Sequence, residues 1–252
     1  MTEFSNNGIY LDPEIAQFYE LGDKPRPDYD ACRKLAVRAT TVLDLGCGTG
    51  ELAVSLARTA QVTAVDPAAA MLDIARNRLG GDHVEFLQGD ARSLRLDRKF
   101  DLILLTGHTF QVFLTETDQL AALATIAAHL SATGAFIFDS RNPDFQGDKQ
   151  RDPLMNRRRV RHPEMGMIEA WNGSTYDARQ QILSYENGYK VVASGKEFSA
   201  RAQIRYTSQS DVVHLLRMSG LTADKWMGDW QGTPFAADSR EIIPVGKVGF
   251  AP

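Results

Sequence analysis

A glycine-rich segment that directly follows a short apolar run is the strongest chemical signal in the chain. Residues 41–45 (TVLDL) are followed by Gly46, Gly48 and Gly50, and a helix-forming stretch begins at residue 51. Glycines allow a tight turn in which the backbone approaches a ligand, and the first turn of the following helix adds free N–H groups. Because ordinary loops also contain glycines, this segment indicates a ligand site only together with its context.

The second signal is an acid at the end of the next apolar run. Residues 62–66 (VTAVD) end in Asp66, about twenty residues after the first glycine. In a nucleoside site, such a carboxylate accepts hydrogen bonds from both ribose hydroxyls, and charge-assisted bonds contribute about 1.5–3 kcal/mol each. The alternative is that Asp66 only caps the following helix, a position where Asp is favoured. The glycine loop beside it favours the nucleoside role.

The elements that position these residues alternate along the chain. Apolar runs predict strands over residues 41–45, 62–66, 84–90, 100–106 and 134–140, with helical patterns between them. Alternating strands and helices form βαβ units, and right-handed crossovers then give a parallel sheet that is covered on both faces. The sequence therefore predicts an α/β fold.

Four segments in this order and spacing carry a family resemblance: VLDLGCGTG, VTAVDPAAAML, VEFLQGDA and FDLILLTGHTF. Together they resemble the class I S-adenosylmethionine-dependent methyltransferases over roughly residues 40–140. The resemblance implies a Rossmann-like, doubly wound, mostly parallel seven-stranded sheet and S-adenosyl-L-methionine as the cofactor. The activity that it implies is methyl transfer to nitrogen or oxygen of a small-molecule acceptor.

The resemblance also implies the cofactor-binding residues, which lie at or just after the ends of the first four strands. In chain order they are Asp44, Gly46, Cys47, Gly48, Gly50, Asp66, Pro67, Met71, Asp90, Ala91, Arg92 and Thr106. By this resemblance, Asp44 and the glycine loop surround the methionine end, Asp66 holds the ribose, and Asp90 accepts from the adenine amino group.

Other interpretations of the glycine loop stay open at this point. Cys47 suggests a nucleophilic thiol, although small residues including cysteine are common at that position in the family. A nicotinamide-dependent oxidoreductase predicts GxGxxG, whereas glycines 46, 48 and 50 form GxGxG. A third possibility is a non-catalytic S-adenosylmethionine-binding module.

Candidate acceptor-binding residues follow the fourth and fifth strands, since ligands of open α/β sheets bind beyond the carboxyl ends of the strands. These are His108, Phe110 and Arg141, to which the N-terminal Tyr19 adds a lid residue. His108 is a candidate general base because imidazole titrates near neutral pH; a structural or lining histidine is the equal alternative. Arg141 is placed to clamp a carboxylate. Methyl transfer needs no base where alignment of the reactants suffices.

The second half of the chain predicts an insertion. A polar loop begins at about residue 142, residues 157–207 alternate apolar and polar residues, and Asn187-Gly188 is a tight-turn signal. We therefore expect residues 142–207 to form a small antiparallel β insert that covers the substrate. Residues 1–40 then form a helical lid, and residues 41–141 with 208–252 form the methyltransferase core.

Composition excludes several classes of partner. The formal net charge is -4, which argues against nucleic acid. Thr106-Gly107-His108-Thr109 also lacks the Asp/Asn/Ser-Pro-Pro-aromatic tetrad of methyltransferases that act on DNA bases. No apolar stretch reaches about 18 residues, so no membrane span is expected. The polar N-terminus and the two isolated cysteines predict a reducing cytoplasm, and the scattered histidines predict no metal site. The sequence indicates neither the acceptor's identity nor the oligomeric state.

Overall fold

Two compact units make up the chain. The computed structural model describes residues 8–22, 25–147 and 149–249. The larger unit holds the described residues of 26–145 and 206–252, and the smaller unit those of 1–25 and 146–205. Residues 26–40 thus belong to the larger unit, whereas the sequence grouped them with the N-terminal lid. The functions of residues 1–40 as a lid and of 142–207 as a substrate cap stay predictions.

From residue 41 to residue 138, helices separate successive strands except between residues 88 and 100, where the described chain has no helix. The α-helices are α1 (Gly8–Leu11), α2 (Pro13–Ala16), α3 (Pro27–Ala36), α4 (Glu51–Leu56), α5 (Ala69–Asn77), α6 (Glu116–His129) and α7 (Gln209–Met218). The strands are β1 (Thr41–Leu45), β2 (Gln61–Asp66), β3 (Val84–Gln88), β4 (Phe100–Leu105), β5 (Leu130–Phe138), β6 (Ser140–Arg141), β7 (Arg157–His162), β8 (Gly166–Asp177), β9 (Ile182–Val191), β10 (Glu197–Arg205), β11 (Leu221–Met227) and β12 (Glu241–Val248).

The larger unit is built on one sheet with the strand order β11-β12-β5-β4-β1-β2-β3, and the short β6 pairs with β12. Strands β1 to β5 pair in parallel, whereas β12 runs antiparallel to β5 and β11 antiparallel to β12. The predicted fold class, a mostly parallel seven-stranded α/β sheet with an antiparallel insert, is confirmed. Its parallel strands end at one edge, where the candidate residues lie.

Alternation along the central strands divides their side chains between two hydrophobic clusters. Leu43 and Ile103 belong to one cluster, and their neighbours Val42 and Leu102 to the other. Successive residues of a strand point to opposite faces, so a strand covered on both faces needs apolar residues throughout. This explains why LILL (residues 102–105) is apolar throughout and why VLDL (residues 42–45) is apolar except for Asp44.

The smaller unit contains an antiparallel sheet of order β10-β9-β8-β7. Helices α1 and α2 contact β10. Phe18 stacks on Tyr189 of β9 with ring centroids 4.4 Å apart, which anchors the segment after α2 to the sheet. Within the described residues, no helix combines the length and apolarity required to cross a bilayer.

The predicted turn at Asn187-Gly188 is wrong. Both residues lie inside β9, where Asn187 pairs with Asn172 and Gly188 pairs with Trp171 of β8. A side chain at Gly188 would overlap the indole ring of Trp171. The glycine therefore makes room for a tryptophan on the neighbouring strand, a tertiary requirement that local sequence does not reveal.

Candidate functional site

The glycine loop between β1 and α4 forms a tight, half-buried cradle in the larger unit. Gly46, Gly48 and Gly50 have φ angles of +74°, +54° and +75°, a region that side chains disfavour. A side chain at Gly46 would overlap Thr109, and a Cβ atom at Gly50 would lie 2.7 Å from Cβ of Ala75. The loop thus passes close to the turn after β4, and a Cβ atom at Gly46 or Gly50 has no room.

Asp66 braces this loop from the end of β2. Its Oδ2 atom accepts a hydrogen bond of 2.9 Å from the Gly48 backbone, and its Oδ1 atom accepts one of 2.9 Å from Ala68. Burial raises the pKa of the carboxyl, and the two backbone hydrogen bonds oppose that shift. Asp66 therefore orders both the loop and the start of the α5 segment, and each carboxylate oxygen keeps acceptor capacity for a ligand hydroxyl.

Asp44 adds a second buried carboxylate at the same end of the sheet. It is 3% exposed, near the end of β1. Burial and the charge of Asp66 raise its pKa to about 7, while Arg26 opposes the shift. Two carboxylates in a poorly solvated pocket favour a cationic ligand.

Asp90, just after β3, is held by a neighbouring arginine. The Arg92 guanidinium donates to Asp90 Oδ2 at 2.6 Å and to Asp118 at 2.9 Å, and the Arg92 backbone donates to Asp90 Oδ1 at 2.8 Å. The hydrogen bond from the Arg92 side chain lowers the pKa of Asp90, which keeps the carboxylate ionised. Ala91 between them is buried.

The remaining predicted cofactor residues differ in exposure. Met71 and Thr106 are buried, whereas Pro67 is exposed. Burial, followed by the charges of Asp44 and Asp66, raises the pKa of the Cys47 thiol. A thiol nucleophile reacts as its thiolate, so this environment argues against a catalytic role for Cys47.

A second polar cluster lies beyond the ends of β4 and β5. His108 has a φ of +68°, a left-handed conformation that costs a residue with a side chain about 1–2 kcal/mol. Its backbone N–H donates to the Asp139 carboxylate at 3.1 and 3.2 Å, and its Nδ1 atom contacts Asp139 Oδ2. Asp139 is fully buried. One carboxylate thus fixes both the strained backbone and the ring of His108.

Arg141, on β6, reaches the other side of this histidine. Its Nη2 atom lies 3.4 Å from His108 Nε2, and its Nη1 atom donates to the Tyr206 hydroxyl at 3.3 Å. The Arg141 backbone donates to Gln111 Oε1 at 2.5 Å. The predicted candidates His108 and Arg141 are therefore brought together.

Phe110 does not join this cluster, and Tyr19 lies in the smaller unit. Phe110 is fully buried in the hydrophobic core, with its ring centroid 4.5 Å from that of Phe138. Tyr19 belongs to the smaller unit, where its ring packs edge-on against Tyr10 at 6.5 Å. The role of Tyr19 as a lid stays a prediction.

Glu241 is the residue of this cluster that the sequence did not indicate. It begins β12, lies opposite Arg141 in the antiparallel register and is 8% exposed. Its Oε2 atom lies 4.0 Å from His108 Nδ1 and has no hydrogen-bond partner among the described residues. No motif marks it, since only the pairing of β12 with β6 brings residue 241 beside residue 141.

Mutual interactions set the proton affinities of the cluster. Burial alone lowers the pKa of His108, but the charge and hydrogen bond of Asp139 outweigh it, so the pKa is raised. Burial also raises the pKa of Glu241, against the opposing charges of His108 and Arg141. The cluster therefore holds protons more readily than isolated groups would.

Three ligand-type atoms of His108, Asp139 and Glu241 lie within 4.8 Å of one another, a spacing compatible with a metal ion. Asp139 and His108 already satisfy each other, however, because the carboxylate accepts from the His108 backbone N–H and contacts His108 Nδ1. We therefore interpret the group as a hydrogen-bonded ion network.

Comparison with known proteins identifies the family. A model described as a methyltransferase domain matches residues 42–134. The cypemycin N-terminal methyltransferase of Streptomyces sp is 32% identical over 211 residues, 81% of this chain and 82% of that protein. A malonyl-acyl-carrier-protein O-methyltransferase of Acetivibrio thermocellus is 40% identical over 169 residues, 60% of this chain and 59% of that protein. The CcbJ methyltransferase structure from Streptomyces caelestis has a TM-score of 0.78 at 22% identity, covering 94% of this chain and 96% of that one.

The sheet order and the glycine loop define a Rossmann-like α/β fold, which the CcbJ structure shares. The chain belongs to the class I S-adenosylmethionine-dependent methyltransferases. It is an enzyme, and S-adenosylmethionine is its cofactor. This membership decides against the nicotinamide-dependent and non-catalytic alternatives. The glycine cradle and the buried carboxylates fit a cofactor whose methionine end carries a sulfonium and an ammonium group.

Asp44→Asn is expected to stabilise the free protein and to weaken cofactor binding about tenfold. The pKa of Asp44 is about 7 in the folded protein, above the value of about 3.9 for an unfolded Asp. The folded state therefore binds the extra proton between these values, and stability falls as the pH rises through this range. An Asn side chain does not ionise, so the variant does not lose stability in this pH range.

Thermal unfolding of both proteins between about pH 4 and 8 tests this prediction. The variant should have the higher Tm at pH 8, and the two Tm values should converge near pH 4. Asp82→Asn, at an exposed carboxylate, is the control. Parallel pH profiles for wild type and Asp44→Asn would contradict a buried, ionising Asp44.

Proposed function

We propose that this enzyme methylates an amine nitrogen of a small-molecule acceptor bound beside His108 and Arg141. The observation that carries the proposal is the ion network at the ends of β4 and β5, which adjoins the glycine loop through the contact region of Gly46 and Thr109. Nitrogen is favoured over oxygen because the cypemycin N-terminal methyltransferase aligns with four fifths of the chain. Two O-methyltransferase relatives align with 72% and 60% of it.

For the cofactor we propose the contacts that the family resemblance implies. Asp66 accepts from the ribose hydroxyls, Asp90 from the adenine amino group, and Asp44 with the glycine loop borders the methionine end. Support comes from their burial or ion pairing near the ends of neighbouring strands. Bound S-adenosylmethionine supplies a methyl group on a sulfonium, which is a good leaving group.

The chain's own residues prepare the acceptor. An ammonium nitrogen has no free electron pair, so its proton must leave before a nitrogen–carbon bond forms as the carbon–sulfur bond breaks. His108 is the proposed base: Nδ1 faces Asp139, so the lone pair is on Nε2, and the acceptor must replace the 3.4 Å contact of Arg141 Nη2 there before Nε2 takes its proton. Arg141, beside Nε2, favours the neutral imidazole by charge repulsion.

Matched acceptor pairs test the proposal. The enzyme is incubated with S-adenosylmethionine and with amines or their hydroxyl analogues, including a peptide with a free N-terminus, and the products are identified by mass spectrometry. We expect methylation of amines and little of hydroxyls, with Asp66→Ala as an inactive control. Methylation of hydroxyl analogues alone would contradict the proposal.

We also propose the cytoplasm as the location. Cys32 and Cys47, the two cysteines of the chain, are both free thiols, as expected in a reducing compartment. A cytoplasmic location would also give the enzyme direct access to S-adenosylmethionine. Detection of the native protein in the cytoplasmic fraction of its source cells tests this.

A further inference from the structure

The ion network beyond β4 and β5 has one more negative than positive charge when His108 is neutral. Asp139 and Glu241 bring two carboxylates, Arg141 brings one permanent cation, and His108 is neutral while it acts as a base. Arg240 also acts on Glu241, but it is exposed, so its charge is screened by solvent. A proton or a cationic ligand must therefore complete the charge balance of the cluster.

Glu241 is the member with an unused acceptor. Its Oε2 atom is buried and has no hydrogen-bond partner among the described residues, whereas Asp139 already accepts from the His108 backbone. A buried carboxylate oxygen without a donor costs stability, so such an atom in a native protein calls for an explanation. The register opposite Arg141 directs the Glu241 side chain to the face of the sheet that carries the network.

We propose that Glu241 binds the ammonium group of the acceptor, so that the enzyme selects cationic primary and secondary amines. The inference rests on the proposed amine methylation and adds its specificity-determining residue. An ammonium that donates to Oε2 supplies the missing charge and leaves His108 neutral. A hydroxyl acceptor supplies no such charge, which gives the site a reason to discriminate against it.

Calorimetric binding to the enzyme loaded with S-adenosylhomocysteine tests the proposal. The probes are trialanine amide, its N-acetylated form and glucosamine. We expect wild type to bind at least one of the two free amines, and Glu241→Gln to bind it about tenfold more weakly or worse, the loss expected for one charge-assisted hydrogen bond. The acetylated peptide should not distinguish the two proteins. Glu241→Asp, which keeps the charge, should recover part of the affinity.

Glu85→Gln, at a half-exposed carboxylate paired with Arg98, is the matched control and should bind like wild type. Circular dichroism confirms that each variant is folded. Equal affinity of wild type and Glu241→Gln for free amines, or no binding of either free amine by wild type, overturns the proposal. If Glu241→Gln methylates amines as efficiently as wild type, the proposal of amine methylation is retained and the proposal of an ammonium site at Glu241 is rejected. If wild type methylates hydroxyls alone, both proposals are rejected.

Discussion

Asp66→Ala should lower the affinity for S-adenosylmethionine about a hundredfold or more. Two charge-assisted hydrogen bonds from the ribose, at about 1.5–3 kcal/mol each, together account for a loss of this size. The loss should extend to S-adenosylhomocysteine, because the ribose is common to both molecules. Equilibrium titration of both ligands measures it.

The structure adds a second consequence to this substitution. Asp66 also accepts from the Gly48 and Ala68 backbones, so the Ala variant leaves two N–H groups without their partner and should unfold at a lower temperature. Asp66→Asn keeps one acceptor oxygen and should retain more affinity than the Ala variant. Asp73→Ala, at an exposed carboxylate on α5, is the control for general effects. Unchanged affinity of Asp66→Ala would contradict the ribose role.

His108→Asn should reduce turnover about a hundredfold, within the usual contribution of general acid–base catalysis, and should leave cofactor affinity unchanged. Asn is the informative replacement because it tolerates the left-handed backbone at this position better than most residues. His108→Ala would also destabilise the protein, because Ala tolerates the left-handed backbone less well than Asn. A loss of turnover in that variant would therefore combine an effect on catalysis with an effect on stability. Single-turnover rates and S-adenosylhomocysteine binding separate the two effects.

The pH profile provides an independent check on the same residue. The pKa of His108 is raised by Asp139, and a base must be unprotonated to act. Turnover should therefore rise with pH through that raised value in wild type, and this rise should be absent in His108→Asn. Asp139→Asn should lower turnover by withdrawing the partner of Nδ1. Undiminished turnover in both variants would mean that alignment alone drives the reaction.

The central sheet could be predicted because the same residues that give the local sequence pattern of a strand are also those that pack in the fold. Val42, Leu43 and Leu45 are apolar and buried, as a strand covered on both faces requires, and Gly46 follows because a Cβ atom there would overlap Thr109. Asp66 follows about twenty residues after Gly46, the first glycine of this loop. Local sequence and fold thus point to the same residues.

The features that the sequence did not predict depend on contacts between distant segments of the chain. Gly188 looks like a turn residue, yet it lies within β9 because the ring of Trp171 occupies its side-chain space. Phe110 follows β4 at a position suited to a ligand contact, but its side chain enters the core. Glu241 joins His108 only when β12 pairs with β6. No periodicity within a single segment contains that information.

Transfer of an isotope-labelled methyl group from S-adenosylmethionine to an acceptor amine tests the central claim most directly. Wild type should form equal amounts of S-adenosylhomocysteine and N-methylated product, and Asp66→Ala should form neither at the same cofactor concentration. Label on oxygen alone, or no label on any acceptor while S-adenosylmethionine binds normally, would contradict the assignment of this enzyme as an amine methyltransferase.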